Sequence, residues 1–234
     1  MEKLMVVGGH SGDEAVMAGP IAARLIREGG SAVFVSVTNG DGGHHTLGRA
    51  EYAVQKDREA KASAARLGAA CVLWPISSGS IEVSPERERE LASLIRRYTP
   101  DTIITHWKDS IHRDHIAAHH LTVNAMRLAA SAAYEDGQAP HRVGRLLFGD
   151  NWEDAENFRP EEYYTFTEED EAVWLAACME YEFFRDGFYD FHYRTYYEAL
   201  HRMRGALAVR SGAKMPLAVA LMNAPRSYYA ITVS

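Results

Sequence analysis

Long apolar runs are missing from this sequence. Stretches such as Leu4–Val7 and Ala32–Val35 fall far short of the ~20 residues that a bilayer-crossing helix needs. No basic segment followed by an apolar one opens the chain, so no secretory leader is expected. Cysteine is scarce. Cys71 and Cys178 cannot build a disulfide framework, which fits a reducing, cytoplasmic setting. Lysine and arginine form no cluster and the formal charge is −7, which argues against nucleic acid or a membrane surface as partner and leaves a small-molecule substrate. Low complexity is also absent, because 47% hydrophobic and 24% charged residues are ordinary globular values. At this length a single α/β domain over residues 1–234 is expected. One residue type is abundant: eleven histidines, five of them within His106–His120.

Strand-like and helix-like patterns alternate. Leu4–Val7 ends at Gly8-Gly9 as a buried strand would. Glu14–Glu28 follows with Val16, Met17, Ile21, Leu25 and Ile26 near helical spacing, stopped by Gly29-Gly30. Ala32–Val37, Cys71–Pro75, Thr102–Thr105 and Leu146–Phe148 read as further strands, and Ala50–Leu67, Glu86–Tyr98 and Asp114–Ala133 as further helices. Such alternation predicts a Rossmann-like, three-layer α/β/α fold with a mostly parallel sheet. From about residue 150 the pattern becomes a helical and aromatic elaboration, with helices expected at Glu168–Arg185 and Tyr193–Val209. Tyr189, Phe191, Tyr193, Tyr196 and Tyr197 crowd together there, and a homo-oligomer is the expectation drawn from them.

In parallel sheets ligands bind beyond the carboxyl ends of the strands. Two polar clusters fall at such ends. Gly8-Gly9-His10-Ser11-Gly12-Asp13-Glu14 follows the first strand, and His106 through His115 follows the fourth. The first lacks the glycine spacing of a dinucleotide or phosphate loop and the spacing of a nucleophile elbow. His10 and Asp13 with His112, Asp114 and His115 offer imidazoles and a carboxylate with room left for water, which is how catalytic zinc is held. His115 and His119 are four apart but no H-E-x-x-H glutamate accompanies them, so a zincin is not expected, and His119 and His120 read as supporting the ligands from behind or as structural, rather than as ligands. His44 and His45 lie in a glycine-rich loop, at the rim or without a role.

These residues resemble the LmbE/PIG-L family of zinc-dependent N-deacetylases. The family's H-P-D-D-E motif stands here as His10-Ser11-Gly12-Asp13-Glu14, and Thr38-Asn39-Gly40-Asp41-Gly42 resembles its second loop. Arg58-Glu59 through Leu67-Gly68 approximates its R-x-x-E helix. Pro100 through His106 and His112-Arg113-Asp114-His115 match its P-D-x-(I/V)-(I/V)-T-H and H-P-D-H segments. The C-terminal third is weakly covered, although Asp150-Asn151-Trp152-Glu153-Asp154 resembles a segment of some members. The resemblance implies Zn2+, with Fe2+ as an alternative, held by His10, Asp13 and His115. It implies that His112 stabilises an oxyanion or protonates a leaving amine, with Asp114 tuning it, and that Arg58 and Asn151 contact substrate. De-N-acetylation of an N-acetyl amino sugar or conjugate is the implied reaction.

One departure matters. The family's general base is the third residue of its first motif, and here that residue is Gly12. Three readings stay open on the sequence. Asp41 or Asp114 supplies the base; or the site hydrates an unsaturated dicarboxylic acid, as hydratases of this fold do; or the domain binds metal and senses a ligand without efficient turnover.

Overall fold

The computed structural model describes residues 2–185, 188–208 and 217–229. Seven strands form one sheet: β1 (Lys3–Gly8), β2 (Ser31–Ser36), β3 (Ala70–Leu73), β4 (Thr102–Thr105), β5 (Arg145–Gly149), β6 (Glu162–Phe166) and β7 (Leu217–Asn223). The helices are α1 (Asp13–Arg27), α2 (Arg49–Leu67), α3 (Pro85–Tyr98), α4 (Arg113–Ala130), α5 (Glu168–Cys178) and α6 (Tyr193–Ala208).

The sheet order is β3-β2-β1-β4-β5-β7-β6. The first five strands pair in parallel, while β7 runs antiparallel to both β5 and β6. Side chains alternate across a strand, so each central strand feeds two cores. Leu4, Val6, Phe34, Ile104 and Leu147 face one core, closed by α1, α5 and α6. Met5, Val7, Val33, Val35, Ile103, Leu146 and Phe148 face the other, closed by α3 and α4. The result is the three-layer α/β/α arrangement with a mostly parallel sheet that the alternation predicts.

Two elements differ from the sequence pattern. β6 and β7 add an antiparallel end to the sheet, and β7 is buried along nearly its whole length. The helix expected over Glu168–Arg185 stops at Cys178, and a single 3-10 turn over Glu182–Phe184 follows. That break lets Tyr181 and Phe184 enter the first core while Phe183 turns into a cavity. Val209, the expected end of the last helix, lies outside the described residues.

The strand order reverses between β1 and β4, which lie side by side although α2, β3 and α3 separate them in sequence. A crevice opens where such neighbours send their following helices to opposite faces. Here α1 leaves β1 toward one core and α4 leaves β4 toward the other.

Candidate metal centre and its cavity

Both polar clusters meet at that crevice. The chain turns from β1 into α1 through Gly12, whose φ of 114° lies in the left-handed region that glycine adopts without strain. The turn is closed by the His10 N–H, which donates to Asp13 Oδ2 at 2.7 Å. Across the crevice, His112 caps α4. Its Nδ1 accepts the Asp114 N–H at 3.2 Å, which leaves Nε2 as the protonated nitrogen of the neutral ring.

Three donor atoms form a nearly equilateral triangle. His10 Nδ1 lies 3.2 Å from His115 Nε2 and 3.4 Å from Asp13 Oδ2, and the third side, His115 Nε2 to Asp13 Oδ2, is 3.3 Å. Bonds of ~2.0–2.2 Å to a tetrahedral zinc place neighbouring donors about 3.3–3.5 Å apart. The donor chemistry and the spacing therefore both fit a divalent cation with one corner left open. His10 and Asp13 line a cavity of about 700 Å³. Burial opposes the charge on Asp13, yet the neighbouring His115, His10 and His106 hold its carboxyl well below the usual range.

Each histidine of the triangle is aimed by a separate carboxylate. His10 donates from Nε2 to Asp114 Oδ2 at 3.2 Å, and that oxygen also accepts the Gly79 N–H at 2.6 Å. His115 donates from Nδ1 to Asp154 Oδ1 at 2.9 Å. Such partners fix the tautomer of a ligating histidine and raise its basicity. His106 comes equally near, with Nε2 at 3.2 Å from Asp13 Oδ2, but that nitrogen already accepts the Gly9 N–H at 2.9 Å. Its Nδ1 donates to Asp154 Oδ2 at 2.6 Å, so His106 stands behind the triangle rather than in it.

The remaining sequence candidates separate. His112 lines the cavity with its ring edge against His10, the centroids 4.2 Å apart. Burial, with His10 and His115 nearby, lowers its pKa to about 4, so the ring is neutral near pH 7. Asn151 also lines the cavity, its Oδ1 accepting the Glu153 N–H at 3.0 Å. Asp41 sits behind the wall. Its oxygens accept from Ser77 Oγ at 2.8 Å and the Ser78 N–H at 2.7 Å, and Arg49 faces it at 3.6 Å. Arg58 is exposed on α2 and is not among the cavity residues, whereas Lys56, two positions earlier, is. His119 is buried and held by the His106 carbonyl at 2.9 Å, and His45 donates to the Phe188 carbonyl at 2.8 Å.

Four residues that matter here were not singled out from the sequence. Asp154 holds two histidines. Glu153 places Oε2 at 3.6 Å from His115 Nε2, and burial raises its pKa. Lys56 and Phe183 line the opposite wall. Tyr52, Lys56, Glu59, Ala60 and Ser63 recur at helical spacing on the buried face of α2, a signal that points to Lys56 rather than Arg58. The crowded aromatics also find partners within the chain. Phe191 stacks on Trp152 at 4.2 Å, Tyr197 is buried, and Tyr189 and Tyr193 line the cavity.

Comparison with known proteins places the chain in a family and a fold. The PIG-L family, GlcNAc-PI de-N-acetylase, matches residues 5–126. The 1D-myo-inositol 2-acetamido-2-deoxy-alpha-D-glucopyranoside deacetylase 2 of Catenulispora acidiphila is 25% identical over 209 residues, covering 73% of this chain and 69% of its own length. Among solved structures, the 4-carboxy-2-hydroxymuconate hydratase GalB of Pseudomonas putida superposes with a TM-score of 0.83 at 21% identity, over 97% of this chain and 98% of that one. The N,N'-diacetylchitobiose deacetylase of Pyrococcus horikoshii superposes with a TM-score of 0.81 at 17% identity, over 99% of this chain and 87% of that one. At those identities the superpositions establish a common fold.

Proposed function

Since the chain belongs to the PIG-L family of GlcNAc-PI de-N-acetylases, we propose that it is a zinc-dependent hydrolase that removes the acetyl group from an N-acetyl amino sugar or its conjugate. The observation that carries this reading is the His10–Asp13–His115 triangle, with sides of 3.2–3.4 Å, at the edge of a cavity also lined by His112. A divalent cation bound there supplies a Lewis acid that acidifies water and polarises a carbonyl.

The chain's own residues have separable tasks. Asp114 and Asp154 keep His10 Nδ1 and His115 Nε2 turned toward the triangle. His112 offers Nε2–H to the oxygen that gains charge as the amide carbon becomes tetrahedral. Glu153 accepts the proton of the attacking water and returns it to the departing amine. Asp114 gives Oδ2 to His10 and Gly79 while its unpartnered Oδ1 is buried away from the cavity lining, and Asp41 is held by Ser77 and Ser78. Glu153 lines the cavity, and among the described residues no donor hydrogen-bonds its carboxylate. Asn151 positions substrate from the same segment.

A second reading, addition of water to an unsaturated dicarboxylic acid, is favoured by Phe183. A Cβ on Gly12 would stand 2.7 Å from Phe183 Cε1, so the ring fills the place where the family carries its base. The test is acetate release from a panel of N-acetyl amino sugars by zinc-loaded protein, with His112→Ala as the control that retains metal. Release abolished by that variant supports the hydrolase. No release from any sugar, together with loss of absorbance from an unsaturated dicarboxylate, selects the hydratase.

A further inference from the structure

Lys56 is a buried cation on the cavity wall with no carboxylate of the described residues in direct contact; Glu59, Asp13 and Glu14 favour its charge only from a distance. The side chain is 3% exposed, and its Nζ donates to the Ser11 carbonyl at 2.6 Å. Among the described residues that is its one hydrogen bond, and no carboxylate lies within 4.0 Å of the ammonium. Three ring faces surround it instead: Phe183 at 4.3 Å, Tyr181 at 4.9 Å and Tyr52 at 5.8 Å from the centroids. Those faces favour the charged form. Burial opposes them and brings the amine down to about 8, which still leaves it mostly protonated near pH 7. An ammonium carries three N–H donors, so two remain for a ligand.

The other cations of the cavity are differently placed. Arg49 donates to Ser77 Oγ at 2.9 Å and to the Ser78 carbonyl at 3.1 Å, with its charge facing Asp41. Arg113 is exposed at the rim. Of these cations Lys56 alone combines deep burial with the lack of a carboxylate in direct contact among the described residues, an arrangement that a ligand of opposite sign would relieve.

We propose that Lys56 anchors a carboxylate of the substrate, so that the cavity selects acidic substrates over neutral ones. This rests on the reading of the cavity as the substrate site and deepens it. One ammonium with two available donors matches a monoanionic carboxylate. A phosphate concentrates about −1.5 to −2 charges on one group near pH 7, more than Lys56 alone offsets, whereas each carboxylate of a dicarboxylate carries a single charge. Ser11, whose carbonyl Lys56 holds, lies between His10 and Asp13 in the chain, so the carboxylate binds close to the reacting group. An N-acetyl amino sugar with a carboxyl substituent meets that requirement, and so does a short unsaturated dicarboxylic acid.

Calorimetric titration of zinc-loaded protein with fumarate, inorganic phosphate and N-acetylglucosamine tests the assignment. Fumarate binds the wild type and weakens at least about tenfold in Lys56→Met, as loss of a charge-assisted hydrogen bond requires, with most of the affinity recovered in Lys56→Arg. N-acetylglucosamine, lacking the carboxylate, is expected to respond little to either substitution. Equal fumarate affinity in wild type and Lys56→Met overturns the proposal, as does absence of fumarate binding to the wild type. Phosphate binding more tightly than fumarate replaces the carboxylate with a different anion and also overturns it. Should Lys56→Met fail to fold, protection of Lys56 in the wild type from reductive methylation reads the same contact. Fumarate should protect it and N-acetylglucosamine should not; no protection counts against the anchor. These readouts report binding, so a failure to find acetate release leaves them intact, and their failure leaves the hydrolase reading intact.

Discussion

Asp154 Oδ1 lies 2.9 Å from His115 Nδ1, while the other oxygen of the same carboxylate holds His106 at 2.6 Å. One fully buried side chain thereby sets two imidazole rings face to face, their centroids 3.8 Å apart and their planes 20° from parallel. The two histidines keep its carboxyl well below the usual range, although burial pushes the other way. Asp154→Asn keeps the shape and weakens the grip on His115. Zinc affinity is expected to fall by roughly 10–100-fold, the usual effect of removing a carboxylate behind a ligating histidine. Competition against a chromophoric chelator measures it. Asp13→Ala, which removes a donor of the triangle itself, should lose the metal outright.

Glu153→Gln separates proton transfer from metal binding. If Glu153 is the proton acceptor, kcat should drop by roughly 10²–10⁴-fold while zinc content stays at the wild-type level. Metal analysis beside turnover makes the distinction. An unchanged kcat would return the role to Asp114 or Asp41.

Gly12→Asp, which restores the family's carboxylate, should destabilise the protein. Any side chain there must adopt a φ of 114°, and its Cβ would meet Phe183 Cε1 at 2.7 Å. Backbone strain of this kind costs about 1–3 kcal/mol. For a chain of this size each kcal/mol corresponds to roughly 2–4 °C in Tm. Adding Phe183→Ala should recover the part due to the ring and leave the part due to the backbone. A Gly12→Asp melt coincident with wild type would show that the turn relaxes.

Acid stability should depend on Asp136, away from the cavity. Burial opposes its charge, but hydrogen bonds from Ser93 and Arg96 outweigh it and bring the carboxyl down to about 2. The folded pKa lies below the unfolded value of about 3.9. The stabilisation is therefore complete above roughly pH 5 and is lost as the pH falls through about 4 toward 2. Asp136→Asn should melt at a lower temperature near neutrality and show a flatter decline below about pH 4. Parallel Tm profiles in acid would mean that the Arg96 contact adds nothing.

The order of elements was legible in the chain because periodicity is local. Leu4–Val7, Ala32–Val35 and Thr102–Thr105 carry enough apolar and β-branched side chains to be read as buried strands without knowing their neighbours. His10, Asp13, His112, Asp114 and His115 were legible for a related reason. Each follows a strand end, and in a parallel sheet all strand ends of one sense share an edge. The base position was legible as a loss, since Gly12 has no side chain to offer. The tertiary structure alone decided the rest. Asp154 is 39 positions from His115 and Phe183 is 171 from Gly12 in the chain, and no local spacing encodes such contacts. Asp41 and Asp114 look equally available as residue types, but hydrogen bonds from Ser77, Ser78, Gly79 and His10 and burial away from the cavity lining set them apart from it. β6 and β7 close the sheet antiparallel, a pairing that depends on which strand edge is vacant when the C-terminal third folds back. Local periodicity sets which face of an element is apolar, whereas the identity of the group opposite a given atom is a property of the packed whole.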